Sequence, residues 1–178
     1  MIDNIFSIIN KLGHLTYGED VTQLEHVLQC GHLAQQDGAP PSLIAAALLH
    51  DIGQFIGDAG NAAEKLGIDA RHEVTGAQYL AQAFPPSVTE PIRLHVDAKR
   101  YLCAVEPGYQ QALSGASELS LRLQGGPMDA AEAERFRQGP HFAAAIQLRR
   151  YDDNGKNPET DVPDLESYRP LLEQLKLS

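Results

Sequence analysis

The chain has 178 residues, enough for one domain with a substantial buried core. Its hydrophobic content of 43% and charged content of 21% are those of an ordinary globular protein, and no apolar run reaches the length of a membrane span. A net charge of −10 argues against a phosphate-backbone binder, and two cysteines, Cys30 and Cys103, are too few for a disulfide framework or a thiolate zinc site. The opening "MIDNIFSIINKL" has an acid at Asp3 and no basic stretch ahead of its apolar residues, so no signal peptide is expected and a cytoplasmic location fits.

Helical periodicity dominates in chain order. Ile5, Ile8, Ile9 and Leu12 line one face of a first helix. "HLTYGEDVTQ" then reads as a polar break. A second helix is expected from about Thr22 to Asp37, stopping at Gly38. "APPSLIAAALLHDIG" reads as one helix entered through Pro40 and Pro41 and closed near Gly53. Residues 54–68 read as a loop with at most one short helix. Another helix is expected over Arg71 to Ala83. "SVTEPIRLHVDAKRYL" follows, with Ser87 or Thr89 as a cap and Pro91 at the helix start. Asp129 and Glu132 form a capping pattern, Pro140 opens "PHFAAAIQLRRYDD", and "PDLESYRPLLEQL" closes the chain. No alternating strand pattern or internal repeat stands out, so the expected fold is all-α, a compact single domain of seven to nine helices.

His26, His50, His72 and His95 lie 24, 22 and 23 residues apart, each in or near an expected helix. In an antiparallel bundle this spacing can return one side chain per helix to the same level of the core. Asp51 follows His50 at the end of an apolar run. A buried carboxylate there needs compensation, and bridging two cations would provide it. Imidazoles and carboxylates without thiolates suit iron, manganese, zinc or nickel. Asp152 and Asp153 offer a late carboxylate.

The order His…His-Asp…His…His…Asp resembles the HD-domain superfamily, an all-α group of metal-dependent phosphohydrolases and oxygenases. The resemblance implies a helical bundle over residues 1–178, strongest over 17–158, with a dinuclear metal site in its core. The ligands it implies are His26, His50, Asp51, His72, His95 and Asp152. One metal would take His26, His50 and Asp152, the other His72 and His95, with Asp51 bridging. Asp152 is preferred to Asp153 because it lies four residues before Lys156. His14, His32 and His141 have no counterpart role.

The two ligands added between the HD pair and the final Asp resemble the dinuclear branch. That branch holds cyclic-dinucleotide phosphodiesterases and the diiron oxygenases of myo-inositol and of hydroxylated aminophosphonates. "YGED", "HVDAKRYL", "LSLRLQGGPM" and "LRRYDDNGK" are similar to segments of the phosphonate type. That likeness implies a mixed-valent Fe(II)/Fe(III) pair and O2 as co-substrate. It also implies cleavage of the C–P bond of a 1-hydroxy-(2-amino)alkylphosphonate to phosphate and a carboxylic acid such as glycine. Catalytic roles would fall to His50, Asp51, Tyr17 and Glu19, the latter two on a segment that closes the iron site. Substrate-binding roles would fall to Lys99, Ser117, Arg149 and Gln54. Glu19 with Asp20 would also suit a substrate ammonium by charge. Gln54 stands where phosphonate oxygenases can carry a histidine. The alternative is an HD-type metal-dependent phosphohydrolase acting on a phosphomonoester or nucleotide. A third reading, a non-enzymatic sensor, is disfavoured by the intact ligand set. The expected partner is a small phosphonate, with neither nucleic acid nor membrane, and the oligomeric state is left open.

Overall fold

The centre of the molecule is the run Leu43 to Leu49, whose side chains are all buried. A helix apolar on every side belongs in the middle of a bundle rather than at its surface. The structure, a computed structural model, describes residues 1–16, 19–57, 69 and 71–177. Among these, the elements are α-helices and short 3-10 turns, with no strand.

Helix α1 (Ile2–Leu12) buries Ile2, Ile5, Phe6 and Ile9 along one face. Helix α2 (Gln23–Gln36) starts with a capping box, in which Thr22 and Glu25 satisfy each other's backbone N–H groups. Helix α3 (Pro41–Leu49) forms the apolar axis, and α4 (Ile52–Gly57) follows after a turn. Helix α5 (His72–Leu80) leads through Pro85 into the long α6 (Pro86–Val105). After a 3-10 turn at Gln110–Ala112 come α7 (Gly115–Leu123), α8 (Ala130–Arg137) and α9 (Phe142–Asn154). A second 3-10 turn, Leu165–Tyr168, leads into α10 (Arg169–Leu175). Helix α3 packs against α2 and α6, while α9 closes over α6, α2 and α3. Helices α4, α5 and α6 pack in sequence beside them.

The helical class agrees with the sequence reading, but three local expectations need correction. The expected single helix through "LLHDIG" is broken at His50 and Asp51, which lie in a turn between α3 and α4. Consecutive residues of one continuous helix project about 100° apart and do not face each other. The turn instead lets the two side chains meet. Pro91 does not open α6 but sits inside it, because Pro85 and Pro86 already supply the entry. The ring of Pro91 removes one N–H from the helical ladder, and Pro91 is itself buried. Finally, residues 115–123, read as a likeness only, form α7, capped by the Ser114 side chain on the Ser117 N–H.

Candidate metal centre

Five elements each bring a ligand-bearing side chain to one buried point. His26 comes from α2, His50 and Asp51 from the α3–α4 turn, and His72 is the first residue of α5. His95 comes from the middle of α6 and Asp152 from the last turn of α9. All except His72 are buried.

Two halves are distinct. In one, His26 Nε2 lies 3.3 Å from His50 Nε2 and 3.3 Å from Asp152 Oδ1. In the other, His72 Nε2 lies 3.2 Å from His95 Nε2. Asp51 spans them. Its Oδ2 faces His50 Nε2 at 3.6 Å and His26 Nε2 at 3.8 Å, while its Oδ1 faces His72 Nε2 at 3.5 Å. The grouping Asp51, His72 and His95 has the proximity a metal ion requires, as do His26 and His50.

The tautomers decide what this cluster can hold. His26 Nδ1–H donates to the Gly155 carbonyl at 2.8 Å, His50 Nδ1–H to Ala47 at 2.9 Å, and His95 Nδ1–H to Ile92 at 2.7 Å. A carbonyl can only accept, so Nδ1 carries a proton in each ring, and in the neutral form that a metal requires Nε2 turns its lone pair inward. Lone pairs facing each other beside two buried carboxylates repel. A cation in each half turns that repulsion into coordination, so the residues fit a pair of metal ions. Burial, reinforced by His72 and His50, pulls the His95 pKa down to about 3, which keeps this ring neutral. Burial alone would raise the Asp51 carboxyl, but His50, His72 and His26 outweigh it and hold it below the usual carboxylate range. Cys30 lies near His26 and His50, yet burial pushes its thiol up and its Sγ–H is directed at the Tyr151 carbonyl, 3.4 Å away.

A cationic, hydroxyl-rich cluster adjoins the ligands. Lys99, one turn beyond His95 and 3% exposed, donates to Ser120 Oγ at 2.7 Å. Lys156 donates to Glu19 Oε1 at 2.6 Å and to Ser114 Oγ and Ser117 Oγ, each at 3.2 Å. Ser114 Oγ–H also donates to Glu19 Oε1, at 2.7 Å. Arg149, 3% exposed, donates through Nη1 to Asp152 Oδ2 at 2.7 Å, through Nη2 to Asp153, and through Nε to the Tyr109 hydroxyl at 3.0 Å. Asp153 therefore faces Arg149 and Tyr109, whereas Asp152 faces the histidines. Gln54 sits half-buried on α4, three residues after Asp51. Tyr17 lies outside the described residues. His14, His32 and His141 stay outside the cluster.

Lys156 is the residue whose place the sequence undervalued. In the sequence it is only a spacing mark, because it lies beyond the end of α9, where helical periodicity says nothing about direction. Ser114 caps α7 and Ser120 lies within it, a helix that the sequence reading does not anticipate.

The HD domain profile matches residues 24–132, which take in His26, His50, Asp51, His72 and His95 but stop short of Asp152. The chain is 47% identical over 173 residues to a hydroxymethylphosphonate dioxygenase of Gimesia maris, covering 97% of this chain and 86% of that one. It is 42% identical over 176 residues to a glycine-betaine-forming [1-hydroxy-2-(trimethylamino)ethyl]phosphonate dioxygenase of Leisingera caerulea, covering 98% and 90%. An uncharacterized protein, L432, of Acanthamoeba polyphaga mimivirus is 36% identical over 179 residues, covering 97% and 81%. With its ordered His and Asp residues gathered at one buried point, the chain belongs to the HD-domain family.

Proposed function

We propose that the protein is a non-haem diiron oxygenase that uses O2 to cleave the C–P bond of a 1-hydroxyalkylphosphonate, releasing phosphate and a carboxylic acid. The carrying observation is that Asp51 directs one oxygen to each histidine half while a buried Lys–Ser cluster stands alongside. The two phosphonate relatives share by name a hydroxyl on the carbon bonded to phosphorus and differ in what else that carbon bears. The hydroxyphosphonate core is therefore the part carried over to this chain. Both names say dioxygenase, which leaves the phosphohydrolase alternative without support.

In this reading His26, His50 and Asp152 would hold one iron and His72 and His95 the other, with Asp51 available to both. The bound pair supplies O2 activation and Lewis acidity. The protein's own contribution is orientation and charge. Lys99 and Ser117 take the phosphonate oxygens, and the Lys99 ammonium neutralises part of the dianion. Arg149 holds Asp152 in place and adds to the positive field that the dianion meets. Gln54 can donate or accept a hydrogen bond at the substrate but cannot carry charge. Glu19 is held against this cluster by Lys156 and Ser114, and its expected closing role with Tyr17 belongs to the same reading. A cytoplasmic setting and a single domain over residues 1–178 belong to the same reading. No helix among the described residues is long and apolar enough to cross a membrane.

Metal analysis and electron paramagnetic resonance of aerobically purified protein test the proposal. Two irons per chain and a mixed-valent signal that changes on adding hydroxymethylphosphonate are expected. Asp51→Ala should lose metal from both halves. An Asp51→Ala variant that keeps two metals and full activity would show the assignment to be wrong.

A further inference from the structure

Beyond the end of α9, residues 155–157 lie across α2 and are held at both ends. At one end His26 Nδ1–H donates to the Gly155 carbonyl at 2.8 Å. The approach is close enough that a Cβ at Gly155 would lie 2.5 Å from Cys30 Sγ. At the other end Gln29 Nε2–H donates to the Asn157 carbonyl at 2.9 Å, and the Asn157 N–H donates to Gln29 Oε1 at 3.0 Å. His26, Gln29 and Cys30 share one face of α2 by their i, i+3, i+4 spacing. Gln29 is itself buried, at 3% exposure. Between the two anchors Lys156 projects to Glu19, Ser114 and Ser117.

A primary amide carries the donor and acceptor that the backbone C=O and N–H of one residue require, and a carboxylate or thioether of equal length does not. We infer that Gln29 is a positioning residue. By clamping Asn157 it fixes the Gly155 carbonyl that orients the His26 ring, and it fixes the direction of the Lys156 ammonium. Its reach to metal and substrate rests on the oxygenase reading above, while its hold on the His26 ring rests on geometry alone.

The test uses the full chain with Gln29→Glu, which keeps the length but sets an oxygen against the Asn157 carbonyl, and Gln29→Met, which keeps only the bulk. In metal-free, 15N-labelled wild-type protein the His26 Nδ1–H should be protected from exchange, and both variants should lose that protection. After reconstitution with iron, the variants should bind the metal of the His26 half about 10-fold more weakly, the scale seen when a ligand's outer partner is removed. The His72–His95 half should keep its metal, and KM for hydroxymethylphosphonate should rise more than kcat falls. An unprotected His26 Nδ1–H in the wild type overturns the assignment. So do variants that retain protection, or that lose both metals equally as a merely structural defect would. A wild type that shows the protection but binds no pair of metals counts against the oxygenase reading and leaves the role of Gln29 standing.

Discussion

Single side chains around the centre are under opposing demands, and two of them give measurable consequences. Arg149 is the buried counter-charge of Asp152 and Asp153, and it also meets the Tyr109 hydroxyl. Arg149→Met strands two carboxylates, one of them nearly inaccessible, and breaking a buried pair from one side costs about 3–5 kcal/mol. Urea denaturation of metal-free protein should show a loss of that size, and a loss below about 1 kcal/mol, the scale of an exposed pair, would mean that Arg149 is not the compensating charge. Lys99 works the other way. Burial, reinforced by Arg149, pulls its pKa from the ordinary 10.5 to about 7. Between those two values the unfolded chain holds a proton that the folded chain has released, so stability rises with pH across that window. The penalty is fully present below about pH 7 and fades towards 10.5. Lys99→Met should therefore melt higher than the wild type at pH 6, by roughly 2–4 °C for each kcal/mol relieved, and the gap should narrow by pH 9. The same variant should show a raised KM for phosphonate. Together those results mark a residue kept for binding at the expense of stability.

At the scale of elements, the close approach of α4 to α5 holds His72 beside Asp51. A Cβ on Gly53 would lie 1.9 Å from the His72 carbonyl oxygen and 2.8 Å from the Gly76 nitrogen. Only a bare backbone passes there. The residue before His72, Arg71, is held in the left-handed region at φ 48°, where its N–H meets Asp69 Oδ1. The start of α5 is thus pinned from two sides. Gly53→Ala should push His72 away from Asp51, cost about 1–3 kcal/mol through overpacking, and lower metal occupancy in the His72–His95 half first. Calorimetry with metal analysis checks it, and an alanine variant with full occupancy and unchanged melting would remove the close approach from the design. None of this could be read in advance. Period and capping mark where a helix begins, and they did so for α1, α2, α8 and α9. They carry no information on which glycine touches a neighbouring backbone. The same limit explains Pro91. A proline in a pattern signals an entry, and only the packing of α6 reveals that Pro85 and Pro86 already serve as one.

Across the whole molecule, the gathering of these histidines was readable because one histidine per helix at regular spacing is a global pattern that no single element needs to explain. The six residues expected as ligands lie together in the structure, His26, His50 and Asp152 on one side of Asp51 and His72 and His95 on the other. The surrounding support was less legible. The Gly155 carbonyl meets the His26 ring and the Asn157 backbone meets the Gln29 amide across some 128 residues of chain, and the backbone atoms involved have no signature in a sequence. Lys156 is aimed by them. Tyr17, expected to cover the centre with Glu19, lies outside the described residues. Oxygen uptake and phosphate release should be recorded together on iron-loaded protein supplied with hydroxymethylphosphonate, its 2-amino-1-hydroxyethyl counterpart, myo-inositol and simple phosphate esters. Equal amounts of O2 consumed and phosphate released from a 1-hydroxyphosphonate, and none from the esters, is the expected result. Phosphate released from an ester with no O2 consumed, and no turnover of any hydroxyphosphonate, would contradict it.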